Sequence, residues 1–318
     1  MRILITGANG YIGGRLVLHL MENGHEIILG TRNNISCQFF TPELKIKKIK
    51  WDDISSLREA CSGVEVVIHA AGVNSAGCAL DPIAALMFNG VATARLVAAA
   101  CQESVPRFIY FSTVNVYGNP LVGSVTEDTC PKNYHPYATS HLAGEHSVIG
   151  ASRRGDIQGN VLRLTNIFGA PANKFVNCWS LFVNSMCKDA IALGHFRLRS
   201  DGSQHRSFMP MEDFCNFIFS MLNDIDSKKH PEIINVGPAK SQSVFLMAKK
   251  IQERCLAVVG VKVNLESNNF GVKHFDVPFF CRSELCNKLG LAINTSSERR
   301  EIDRLLIYCT KEFGLAKT

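Results

Sequence analysis

The chain opens with a short apolar run followed at once by three evenly spaced glycines, and this opening limits its fold more than any other stretch. Ile3, Leu4 and Ile5 have the unbroken apolar character of a strand buried on both faces. Gly7, Gly10 and Gly13 follow at the spacing G-x-x-G-x-x-G, and Leu16, Val17, Leu20 and Met21 then recur with a helical period. In such a strand–turn–helix unit the first glycine permits a tight turn and the second lets the backbone approach a pyrophosphate. The third lets helix and strand pack closely. The helix start adds amide donors and the positive end of its dipole. Dinucleotide binding is the leading expectation, with a merely structural turn as the alternative.

Strands and helices alternate from there at the spacing of right-handed βαβ units. Apolar runs predict strands at 25–30, 46–51, 64–72, 107–113 and 160–166, with helical patterns through Leu57 and Ala60, over 83–100 and after Pro136. In Lys45-Ile-Lys-Lys-Ile-Lys50 the alternation with isoleucine predicts a half-buried strand rather than a nucleic-acid patch. Beyond 166 the rhythm breaks, and a helix at 212–222 and a strand at 233–236 follow. The expected fold class is α/β, a doubly wound parallel sheet formed by 1–166, with 208–236 returning to it. Residues 167–207 and 237–318 are expected to form a smaller substrate-binding lobe over the sheet's carboxyl edge, where open α/β sheets bind ligands.

Composition narrows the class further. With 46% hydrophobic and 19% charged residues among 318, the chain is too apolar for disorder. Its apolar runs fall short of the ~18–20 residues that span a bilayer, so no membrane association is expected. A strand beginning at Ile3, with no apolar stretch ahead of a cleavage site, leads us to expect no secretory leader and a cytoplasmic location. The formal charge of +6 is mild and spread out, so no nucleic-acid partner is expected. Twelve cysteines are scattered without a C-x-x-C pair, which points to reduced thiols acting as small hydrophobes. His135, His141 and His146 lack the i, i+4 spacing of a helical metal pair, and no metal is expected. Phe175, Trp179 and Phe182 are read as core or lobe interface rather than as a base-stacking group. His195, Arg197 and Arg199 are read as a solvated loop rather than an anion site.

The end of the second strand bears on which dinucleotide binds. An acidic residue there would hydrogen-bond the adenosine ribose diol of NAD. Gly30, Thr31 and Arg32 stand there instead. A small residue leaves room for a 2′-phosphate and a guanidinium pairs with it as a fork, so NADP is preferred, with NAD as the alternative.

With these segments in order, the chain resembles the extended short-chain dehydrogenase/reductases, also called NAD-dependent epimerase/dehydratases, over nearly its whole length. Gly7, Gly10 and Gly13, with Asn9, Tyr11 and Ile12 among them, match that family's cofactor motif. Asp53-Ile54 resembles the pair that holds adenine, and His69-Ala70-Ala71, leading to Gly72, the small-residue strand end beneath the cofactor. Asn89 and Thr93 are similar to its D-P…N-V-x-G-T segment, although Gly90 and Ala92 depart from it. Phe111-Ser-Thr-Val-Asn-Val-Tyr-Gly118 is similar to the strand that delivers a catalytic hydroxyl, here Thr113. Arg163-x-x-Asn166 and Asp201-Gly-x-Gln-x-Arg206 resemble two further segments, the second carrying an arginine that contacts a nucleotide diphosphate. The resemblance implies a Rossmann fold, a nucleotide-sugar substrate and a homodimer built over two helices per subunit. It assigns catalysis to Thr113, Tyr137 and His141, with Tyr137 and His141 also touching the cofactor, and substrate contacts to Asn115, Asn166 and Arg206.

Two departures matter. The family reads Y-x-x-x-K, whereas Tyr137 is followed at the fourth position by His141. The lysine lowers the tyrosine's pKa and hydrogen-bonds the nicotinamide ribose, while an unperturbed histidine is mostly neutral at pH 7. Three readings stay open: His141 substitutes for lysine at reduced efficiency, the enzyme runs as a reductase in which Tyr137 only donates a proton, or the site binds without turnover. Relatives that dehydrate sugars carry Asp-Glu after the catalytic threonine; Val114 and Asn115 stand here, which disfavours dehydration. The expected activity is epimerisation or keto-group reduction of a nucleotide-activated sugar. The alternatives are a reductase of another small carbonyl compound, or a catalytically weak cofactor-binding sensor or scaffold.

Overall fold

Seven parallel strands grow outward from the apolar run that opens the chain. They are β1 (Arg2–Thr6), β2 (Glu26–Thr31), β3 (Lys45–Lys48), β4 (Val66–His69), β5 (Arg107–Thr113), β6 (Gln158–Leu164) and β7 (Ile233–Val236), in the spatial order β7-β6-β5-β4-β1-β2-β3. The computed structural model describes residues 1–32, 44–224, 230–267, 278–288 and 295–314. From β1 the chain steps outward to β2 and β3, then returns to place β4 on the other side of β1. Loops leaving the carboxyl ends of β1 and β4 therefore run in opposite directions and open a crevice between them. The strands that flank it, β1, β4 and β5, are buried along nearly their whole length, as their apolar runs require.

The sheet belongs to a first unit comprising 1–121, 127–164 and 219–236; a second comprises 122–126, 165–218 and 237–318. The chain returns to the first unit at Phe219 rather than at 208, because Phe208–Pro210 pairs in parallel with Asn166–Phe168 inside the second unit. That pairing also explains why β6 stops at Leu164 rather than continuing to Asn166. The lysine-rich strand departs from expectation too. It lies at the sheet edge, ends at Lys48 and leaves Ile46 41% exposed, while Ile49 just beyond it is buried. Lysines on an edge strand discourage pairing with another chain, and alternation alone does not separate an edge from a half-buried interior strand.

Four helices matter for the site: α1 (Tyr11–Glu22), α2 (Ile54–Cys61), α3 (Pro82–Gln102) and α4 (Pro136–Arg153). Contrary to the short apolar runs read from the sequence, α3 is long and apolar enough to cross a membrane by length and composition. Half of its apolar stretch is nevertheless buried within the protein, and Leu96, Val97, Ala99 and Ala100 belong to the sheet's core cluster. It also buries Asn89 and Thr93, which makes it a core helix. Its Leu86–Ala92 segment is wound as a π-helix, a wider turn often found at functional sites.

The second unit packs helices Phe182–Leu193, Val244–Val259 and Thr295–Phe313 around Cys187, Met247, Ile251, Leu305 and Cys309. The described cysteines are free thiols and most are buried, in keeping with their role as small hydrophobes.

Candidate active site

The carboxyl ends of β1, β2 and β4 enclose a cleft of about 310 Å³, walled by Gly7–Gly10, Gly30–Arg32, Ala70–Gly72, Trp51 and Phe88. Two of the glycines are dictated by geometry. Gly7 has φ +71°, and a Cβ there would come 2.6 Å from the Ala71 nitrogen. A Cβ on Gly13 would collide with the Gly7 carbonyl, so α1 could not approach the turn. No side chain caps the start of α1 at Gly10, the kind of helix terminus that receives an anion. The wall thus offers bare backbone and small residues for a pyrophosphate, and rings and a guanidinium for an adenosine. The residues present fit a dinucleotide.

Trp51 and Phe88, which meet edge to face at 5.2 Å, are the site residues that sequence reading missed. Arg32 holds its guanidinium 5.5 Å from the centre of the Phe88 ring, and Asn9 donates to the Thr31 hydroxyl at 3.5 Å. Asp53 and Ile54 do not line this cleft. One Asp53 oxygen instead accepts the Ser55 and Ser56 amides as the cap of α2, and Ile54 is exposed. Tyr11 and Ile12 form the first turn of α1.

Thr113 ends β5, and Tyr137 and His141 share a face of α4. That helix starts where it does because His135 Nδ1 accepts the Tyr137 amide at 3.1 Å and Pro136 occupies the first helical position. Thr113 Oγ1 accepts the Asn115 amide at 3.1 Å. Burial raises the Tyr137 pKa, and the neighbouring Thr113 side chain opposes the rise. The His141 ring meets Tyr137 edge to face at 4.7 Å. Burial lowers the His141 pKa to about 4, so at pH 7 it brings a hydrogen bond to the site but no charge.

Behind the cleft wall lies a buried polar network. Asn89 Oδ1 accepts the Val73 amide at 2.8 Å, and its Nδ2 donates to Ser140 Oγ at 3.1 Å. Asn89 is thereby engaged with protein groups and secures the chain that follows Gly72. The wide π turn lets its carbonyl accept the Thr93 hydroxyl at 2.7 Å. His69 sits between Thr6 at 2.6 Å and Thr93 at 2.9 Å, and burial takes its pKa to about 3.

These two imidazoles make stability depend on pH in a defined direction. Both have folded-state pKa values below the unfolded value of about 6.5, so the unfolded chain binds more protons as pH falls below 6.5. Their contribution is complete above that pH and is lost on acidification towards their folded values. Between pH 6.5 and 5, above the carboxylate range, they together remove roughly 3 kcal/mol. Urea unfolding across this window checks the loss, and His141→Gln should reduce its slope by about half.

The second unit carries its own cleft, about 370 Å³, in which Arg197, Arg199 and Arg206 converge with Trp179 and Phe182. The solvated-loop expectation is corrected in one part: His195–Leu198 is a strand, while Arg197 and Arg199 are exposed. Phe196 and Leu198 are buried while Arg197 and Arg199 alternate with them, so both arginines face one side. Among the described residues no carboxylate lines the cleft. Arg206 lies with its guanidinium 6.0 Å from the Phe182 ring centre, and desolvation lowers its pKa. Trp179 and Phe182 also pack against the core, whereas Phe175 is 69% exposed. Asn166 does not line this cleft; its side chain donates to the Ser207 carbonyl at 3.3 Å. Asn115 follows Thr113 directly, and its carbonyl accepts from Asn133 at 2.7 Å. Among the described residues no three His, Cys, Asp or Glu side chains gather to hold a metal.

A doubly wound parallel sheet with a glycine-turn cleft at its switch point defines an α/β protein of the dinucleotide-binding class. Residues 3–237 match the NAD dependent epimerase/dehydratase family, and the chain belongs to it. It is 27% identical over 255 residues to a putative UDP-glucose 4-epimerase of Methanocaldococcus jannaschii, covering 76% of this chain and 78% of that one. It is 30% identical over 171 residues to a probable low-salt glycan biosynthesis reductase of Haloferax volcanii, covering 54% and 55%. Its fold matches a crystal structure of a UDP-glucose 4-epimerase with a TM-score of 0.84 at 20% identity, over 100% of both chains.

Proposed function

We propose that this chain is an NAD(P)-dependent enzyme that moves hydride at a carbon of a nucleotide-activated sugar, by epimerisation or by reduction of a keto group. The observation that carries this reading is Tyr137 beside Thr113 and one helical turn from His141, whose ring lies 3.8 Å from where a Cβ on Gly72 of the glycine-turn cleft would stand. When bound, the dinucleotide supplies the hydride donor or acceptor. Thr113 holds the reacting oxygen, and Tyr137 gives or takes its proton. His141 donates towards the nicotinamide ribose. Arg206, with Arg197 and Arg199, takes the diphosphate, and Trp179 and Phe182 offer faces to the base. Arg32, beside the small residues that end β2, favours NADP over NAD. A homodimer over the exposed Ile83, Leu86 and Met87 of α3 belongs to the same reading.

Of the two directions, reduction uses Tyr137 as it stands. A phenol whose pKa is raised keeps its proton for donation, and a neutral His141 does nothing to remove it. Val114, which can neither give nor take a proton, argues against dehydration.

Thermal unfolding with added NADP, NAD, UDP, GDP, TDP or CDP tests the proposal. Stabilisation of about 2.7 kcal/mol is expected at a hundred times Kd for a dinucleotide and for at least one nucleoside diphosphate. Arg32→Ala should abolish the advantage of NADP over NAD. No stabilisation by any of these ligands would overturn the reading. Equal binding of NADP and NAD, unchanged by Arg32→Ala, would overturn the 2′-phosphate part alone.

A further inference from the structure

We propose that Tyr110 is a positioning residue for His141: its hydroxyl fixes the imidazole as the tautomer protonated on Nε2 and turns that N–H towards the dinucleotide cleft. The proposal rests on the cleft being a dinucleotide site, and it names the group that meets the nicotinamide ribose as a neutral, single, directed donor.

The distances in the buried network favour this tautomer. Tyr110 stands on β5 and is almost wholly buried, with its hydroxyl 2.8 Å from His141 Nδ1. Its other acceptor, the Asn89 carbonyl, is 3.4 Å away and already takes the Thr93 hydroxyl at 2.7 Å. Thr93 has given its proton to that carbonyl, so the 2.9 Å contact with His69 is a donation from His69 Nε2–H. His69 Nδ1 then accepts the Thr6 hydroxyl at 2.6 Å. Proton positions thus run in one sense from Thr6 to the Asn89 carbonyl. The strongest acceptor left for Tyr110 is His141 Nδ1.

With Nδ1 accepting, the remaining proton of a neutral imidazole sits on Nε2. Nε2 has no hydrogen-bond partner among the described residues. It lies 4.0 Å from where a Cβ on Gly72 would stand, and Gly72 lines the cleft. The lack of a side chain at 72 therefore leaves this N–H uncovered. A lysine here would offer a mobile ammonium with three donors and a positive charge. His141, held between the rings of Tyr110 and Tyr137, offers one proton in one direction.

Tyr110→Phe removes only the hydroxyl, and two readouts follow it. In long-range ¹⁵N NMR spectra of the protein, wild-type His141 should show a protonated Nε2 and an unprotonated Nδ1, and Tyr110→Phe should show a mixture of tautomers. Affinity for NADPH, read from Trp51 fluorescence, should fall about 3–10-fold in Tyr110→Phe, the worth of one directed hydrogen bond. The double variant Tyr110→Phe/His141→Gln should bind no worse than His141→Gln alone. A proton on Nδ1 in the wild type would overturn the proposal. So would a tautomer and an affinity both unchanged in Tyr110→Phe, or losses that simply add in the double variant. If NADPH and NADH both fail to bind, the dinucleotide reading falls, while the NMR result still decides what Tyr110 does to His141. Should Tyr110→Phe fail to fold, the wild-type spectrum decides.

Discussion

Tyr137→Phe is expected to lower kcat by about 10²–10⁴-fold, the usual worth of a positioned general acid or base, and to change ligand affinities by no more than about threefold. The phenol stands beside the Thr113 side chain, and burial raises its pKa, which keeps the proton on its oxygen at neutral pH. Removing that oxygen leaves the ring, its edge-to-face contact with His141 and the start of α4 intact. An interaction made chiefly in the transition state lowers kcat and kcat/KM together. Initial rates with a UDP-hexose or its 4-keto form, alongside NADPH binding by fluorescence, separate that outcome from a loss of binding. Unchanged turnover would remove Tyr137 from the chemistry.

Glu145→Ala is expected to be the most damaging single change to stability in the first unit. Glu145 is fully buried and accepts from Arg163 Nη2 at 2.6 Å and from Arg163 Nε at 3.1 and 3.2 Å. It also accepts the Ser112 hydroxyl at 2.5 Å. Arg163 in turn donates to the Tyr117 hydroxyl at 2.8 Å, and that hydroxyl donates to Asn235 at 2.7 Å. Truncating Glu145 strands a buried guanidinium, which costs about 3–5 kcal/mol and lowers Tm by roughly 6–20 °C. Replacing both partners with leucine should cost much less, because no buried charge is left alone. The functional consequence comes from position. Glu145 joins α4, which carries Tyr137 and His141, to Ser112, the neighbour of Thr113 on β5. Activity should therefore decline below the melting transition, and scanning calorimetry with parallel rate measurements checks both effects.

The parts of this site that could be read from sequence are those in which one residue type solves a local backbone problem. Gly7 and Gly13 are such cases, since only a missing Cβ permits the turn and the approach of α1. Pro136 and the four-residue step from Tyr137 to His141 likewise state a helix start and a shared face. What escaped depends on partners distant along the chain. Trp51 comes from a turn and Phe88 from the π-wound part of α3, and they line one cleft only once β1 and β4 are paired. Tyr110 reads as one more apolar residue in a strand, since the acceptor of its hydroxyl is on another element. Arg197 sits in a four-residue strand and Arg199 just beyond its end, and so short a strand cannot be separated from a loop by alternation. Asp53 shows a residue with a local task as well: one of its carboxylate oxygens caps α2.

The decisive measurement is hydride transfer itself, followed in a single turnover. Wild-type protein is mixed with NAD or NADP and a UDP-hexose, and in parallel with NADPH and the 4-keto sugar. The absorbance of the reduced nicotinamide and the sugar product are then recorded. The expected result is transfer in at least one of these mixtures, lost in Tyr137→Phe while both ligands still bind. Tight binding of both ligands with no transfer in any mixture, or transfer that survives Tyr137→Phe unchanged, would contradict the proposed role of the site.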